Sequence, residues 1–104
     1  MGPMPRPSLL TDAELAAALA ALPEWEHAGA EIVRTFECAS FPDAIAFVVR
    51  IGFFAERADH HPDIDIRWRK VRAALTTHDA DGLTALDIEL AREISDAFTA
   101  PKPG

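Results

Sequence analysis

Between Ile64 and Thr77 the sequence alternates apolar and polar residues, and the phase of the alternation flips once on the way. Ile64, Ile66 and Trp68 share one parity, whereas Val71, Ala73, Leu75 and Thr77 share the other. Period two marks a strand with one buried face, and a phase flip across a short gap is what a tight hairpin produces. A two-residue turn at Arg69 and Lys70 pairs Trp68 with Val71, and a four-residue loop keeps that register. A second pair of period-two runs, residues 25–28 and 31–38, flanks Gly29 and reads as another hairpin.

Helical patterns separate and frame these hairpins. Thr11 and Glu14 stand at capping-box spacing, with Leu10 and Leu15 placed as a staple, and open a helix from Asp12 to about Leu22 that Pro23 stops. Pro42 and Asp43 suit the first turn of a second helix, which runs to about Ala58. Thr84 and Asp87 repeat the capping-box spacing and open a third, with Leu90, Ala91, Ile94 and Phe98 on one face. The order α-β-β-α-β-β-α leaves no room for parallel crossovers. The expected fold is α+β: a four-stranded antiparallel sheet with three helices packed on one face.

Length and composition bound the rest. The chain has 104 residues, enough for one domain, which we place at 9–99 between proline-bearing disordered tails at 1–8 and 100–104. A net charge of −7 has the wrong sign for gripping phosphate backbones, so direct nucleic-acid binding is disfavoured. Cys38 is the only cysteine, which rules out an internal disulfide and fits a reducing, cytoplasmic home. No apolar run approaches the roughly 18–20 residues of a membrane span, so no membrane role is expected.

The second helix carries two apolar stripes. Ala44, Phe47, Val48, Ile51, Phe54, Ala55 and Ala58 fall on one face, the width of a core-facing stripe. Ile45, Val49 and Phe53, four apart, line the roughly opposite side, with Gly52 beside them. A monomer has no use for that second stripe, and the expectation is a homotetramer, with a homodimer as the fallback.

Chemistry concentrates near His60, His61 and His78. Pro62 forces His61 into an extended conformation, so the second helix ends at or before His60. In the register that pairs Trp68 with Val71, His61 falls opposite His78. Glu56, Asp59, Asp63 and Asp79 surround the three imidazoles, a setting for proton transfer near neutral pH. The plain alternative is a solvated helix end. Metal binding is disfavoured because adjacent histidines rarely aim both rings at one ion and no cysteine is close. No serine sits nearby to act as a nucleophile, and Cys38 has core parity. His27 reads as a surface residue, Trp25 as a core anchor, and Asp87 as the acidic half of a capping box.

Taken together, Glu56, Asp59-His60-His61-Pro62, the second hairpin, Thr77-His78-Asp79, Gly82-Leu83-Thr84 and Asp87 resemble the pterin-4a-carbinolamine dehydratase family. The resemblance spans about residues 9–98 and departs at Ile64 and Asp65, where many relatives carry aromatic residues. It implies dehydration of a 4a-hydroxytetrahydropterin to quinonoid dihydropterin and water, without a metal or organic cofactor. It implies His60, His61 and His78 as the active-site histidines, with Asp59, Thr76, Thr77 and Asp79 lining the pterin and Glu56 and Asp87 in support. An aromatic amino-acid hydroxylase is the implied upstream partner. Some relatives are non-catalytic assembly factors or dimerisation cofactors of a transcription factor, which is the alternative reading.

Overall fold

A computed structural model of the chain describes residues 7–99; of the tails expected at 1–8 and 100–104, all but Pro7 and Ser8 lie outside them. The elements are α1 (Asp12–Ala20), β1 (Glu26–Ala28), β2 (Glu31–Glu37), α2 (Phe41–Ala58), β3 (Asp63–Arg67), β4 (Lys70–Leu75), a one-turn 3-10 helix (His78–Ala80) and α3 (Ala85–Ala97). The four strands form one antiparallel sheet in the order β1-β2-β4-β3. The fold is the expected α+β arrangement. No helix among the described residues is long and apolar enough to cross a membrane.

Strand parity assigns one face of the sheet to the core. Ile32 and Phe36 on β2 pair with Leu75 and Val71 on β4, and all four are buried. Ala44, Phe47, Ile51 and Ala55 of α2 and Ile88, Leu90, Ala91 and Ile94 of α3 close over them. The rings of Phe36, Phe47 and Phe98 meet edge-on or tilted at 4.9–5.4 Å between centroids, the geometry aromatic quadrupoles favour. Ala58, expected on the core face, is exposed because the last turn of α2 overruns that core. The second stripe stands open, with Ile45, Val49 and Phe53 at 39%, 55% and 72% exposure.

The second hairpin corrects one expectation. Its turn is Trp68-Arg69, not Arg69-Lys70, so Arg67 pairs with Lys70, Ile66 with Val71 and Ile64 with Ala73. Trp68 takes a left-handed φ of 60° and is 84% exposed rather than sitting in the strand. A positive φ at the first central position is what a type II′ turn asks for. Contacts to the end of β2 fix this choice: Cys38 N–H donates to Arg69 O at 2.7 Å, and Arg69 pairs with Glu37 at 3.0 Å. The slip is two residues, so every side chain keeps its face.

Candidate active site

The site is built where α2 ends, β4 ends and α3 begins. Asp59 terminates α2 in the left-handed conformation at φ 49°. Its N–H reaches Glu56 O at 3.2 Å, and that of His60 reaches Ala55 O at 3.0 Å, the paired bonds of a Schellman motif. This reversal turns His60 inward. Beyond β4, Thr77 and Gly82 bridge each other across the 3-10 turn, which brings the Thr77 hydroxyl to the start of α3. A Cβ on Gly82 would lie 2.9 Å from Leu9 Cδ2, the tip of a half-exposed side chain, so Gly82 marks a close crossing of the chain ahead of α1 that a larger residue would meet by moving Leu9 aside.

Asp87 is the hub. It is fully buried, and its Oδ2 accepts from the Thr77 hydroxyl at 2.8 Å and the Thr84 N–H at 2.9 Å. Its Oδ1 lies 2.6 Å from Nε2 of His60. With Thr77 donating to Asp87, the Thr84 hydroxyl must donate to Thr77 across their 2.8 Å contact, and it accepts from Leu86 N–H. Three donors converge on one carboxylate at a helix N-terminus, where the helix dipole favours negative charge. Acceptance by Asp87 places the proton of His60 on Nε2. Nδ1 of His60 has no hydrogen bond to a described residue. Among those residues no buried side-chain nitrogen or oxygen lacks a partner, so Nδ1 is not sealed in the core, and His60 borders the adjoining cleft.

That cleft has a volume of about 1020 Å³ and is bordered by His60, His61, His78, Asp59, Asp79, Thr76 and Thr77. It is therefore the structure, by a different register, that unites the three histidines. Extending the observed pairing sets His61 level with Thr76, two residues short of His78, which instead begins the 3-10 turn. His61 is exposed, with Nε2 3.1 Å from Glu56 Oε1, and His78 is exposed at the rim. The Thr76 hydroxyl donates to Ala30 O at 2.6 Å and that of Thr77 to Asp87, so both are already engaged within the protein.

Sequence reasoning missed the far wall, formed by Leu9, Leu10 and Glu14 from the α1 side and Ala85, Leu86 and Glu89 from α3. Exposed glutamates on helices look like solvated faces, and only Leu86 and Glu89, three apart on one helix face, hinted otherwise. Glu14 is bonded to the Thr11 backbone and hydroxyl, which holds its carboxyl below the ordinary 4.5. Among the described residues no group of three or more His, Cys, Asp or Glu is placed to hold a metal ion.

The site of this small α+β domain is thus a cleft bordered by an imidazole that a buried carboxylate holds. Comparison with known proteins gives the family. The profile of the pterin 4 alpha carbinolamine dehydratase family matches residues 8–97, and the chain belongs to that family. A protein of Roseiflexus castenholzii named "Putative pterin-4-alpha-carbinolamine dehydratase" is 56% identical over 89 residues, covering 86% of this chain and 96% of the relative. One of the same name from Nocardia farcinica is 57% identical over 88 residues, or 85% of this chain and 93% of the relative. A crystal structure described as a transcriptional coactivator/pterin dehydratase from Brucella melitensis superposes with a TM-score of 0.81 at 35% identity, covering 84% and 95% of the two chains.

Proposed function

We propose that the protein dehydrates 4a-hydroxytetrahydropterins to quinonoid dihydropterin, in a cytoplasmic recycling step that follows an aromatic amino-acid hydroxylase. The observation that supports this reading most is the His60–Asp87 pair at the cleft. In the reaction the N5 proton leaves to a base and the N5 electrons form the C4a=N5 bond. The C4a–O bond breaks, and the hydroxyl, protonated by an acid, departs as water. Asp87 fixes the ring of His60 and its Nε2 proton, so Nδ1 is the atom that exchanges protons with substrate. His78 is its partner in proton transfer, and His61, steadied by Glu56, positions the pterin between Asp59 and Asp79.

The test is turnover of a chemically generated carbinolamine by the purified protein, with and without exhaustive chelation. Acceleration that survives chelation supports the reading. Loss on EDTA with recovery on zinc would replace it with metal chemistry.

The open stripe of α2 supports assembly as a homotetramer, or failing that a homodimer. Leaving three large apolar side chains in water forgoes roughly 1.5–3 kcal/mol each. Phe53→Glu should lower the mass seen by light scattering while circular dichroism stays near wild type. The coactivator description of the Brucella melitensis protein favours a second reading, an assembly factor that binds other proteins. A chain that forms its oligomer but shows no turnover would favour it.

A further inference from the structure

Resting on the dehydratase reading, we infer that the cleft selects pterins with an uncharged side chain and rejects those carrying a carboxylate or phosphate. The cleft exceeds what a bicyclic ring needs, standing at the upper end of the range of about 300–1,000 Å³ for small-molecule sites. Ring and side chain therefore both fall inside its walls. Among the described lining residues there is no lysine or arginine, whereas Glu14, Asp59, Asp79 and Glu89 all border it.

The imidazoles do not reverse this sign. His60 and His61 each face a carboxylate of their own, Asp87 and Glu56, and only His78 remains to offset the other four. The Thr11 N–H donates to the Glu14 carboxylate, and hydrogen bonding to Thr11 holds that carboxyl below its ordinary 4.5, so it is ionised at neutral pH. The ligand end of the cleft is marked independently by the imidazole of His60, only 9% exposed, held by Asp87 and bordering the cleft. A pterin seated there shares the cleft with Glu14 of α1, Asp59 capping the end of α2, Asp79 of the 3-10 turn and Glu89 of α3. An anion so placed meets like charge from Glu14, Asp59, Asp79 and Glu89, and because these carboxylates are exposed the repulsion is sensitive to salt.

The experiment compares carbinolamines generated in place with a methyl, a dihydroxypropyl or a phosphomonoester side chain at the same ring position. At low salt, kcat/KM for the phosphorylated compound should fall at least about tenfold below the neutral ones, and the gap should narrow as salt is raised. Glu89→Arg should raise the phosphorylated-to-neutral ratio at least about threefold. Binding of the matching non-reactive dihydropterins, followed by their fluorescence, reads the same ratio without chemistry. Preferential binding of the neutral compounds without turnover sinks the dehydratase reading and supports this one. Equal binding of neutral and phosphorylated compounds at low salt overturns the selectivity, and so does a ratio that ignores both salt and Glu89→Arg. Binding of neither compound overturns both readings.

Discussion

The two ends of α3 use the same device to different ends. Near the N-terminus Asp87 gathers donors from Thr77, Thr84 and His60. Near the C-terminus the Ser95 hydroxyl accepts from Trp25 Nε1 at 2.8 Å and from Arg34 at 3.1 Å. Each acceptor ties together residues far apart in sequence. At Ser95, however, neither donor keeps an atom that can take up a proton. Trp25 has one N–H, and Arg34 lies 4.2 Å over the ring of Phe36 with Glu24 at 4.0 Å. His60 differs in owning a second ring nitrogen on a side chain that borders a cleft. Buried polar pairing becomes chemistry only where the donor keeps an atom that can still gain or lose a proton.

The largest expected effect tests that distinction. His60→Ala should lower carbinolamine turnover by about 10² to 10⁴-fold, the usual worth of a positioned acid or base. Asp87→Asn, which keeps the shape but not the charge, should lose at least about tenfold and shift the pH-rate profile. Ser95→Ala should leave kcat/KM near wild type while lowering stability by about 1–3 kcal/mol in urea, since the Trp25 N–H loses its acceptor. A Ser95 variant as inactive as the His60 variant would erase the contrast between the two ends. Cys38 belongs with the inert end: burial, aided by Asp43, pushes its thiol above the ordinary 9.0. Thiol reagents should modify it slowly in the folded protein and at ordinary rates in urea.

What could be read in advance follows the range over which each signal acts. Thr11 with Glu14 and Thr84 with Asp87 declare helix starts within four residues, and both boxes form. The two faces of α2 are equally local. The turn of the second hairpin was not legible, because a slip of two residues leaves Ile64, Ile66, Val71 and Ala73 on the same side. What decides it is Cys38 binding Arg69, a contact made across the fold. Asp87 had a sufficient local role as a cap, so nothing in its neighbourhood announced His60, 27 residues earlier. The three histidines were found by their residue type and company, although the pairing expected to join them is not the one that does.

The smallest expected effect sharpens the comparison by setting the two capping boxes side by side. Thr84 and Asp87 are buried, whereas the Thr11–Glu14 box is exposed. Hydrogen bonds from Thr11 lower the folded-state value of Glu14 below 4.5, so the unfolded chain takes up a proton at a higher pH than the folded one. The contribution is therefore complete above 4.5 and is lost as pH falls through the lower folded value. Glu14→Gln keeps a side-chain acceptor for the Thr11 N–H but not the charge. Its melting temperature should lie slightly below wild type at pH 7 and converge on it toward pH 3. A difference that stays constant across that range would show that shape alone, not charge, makes this box.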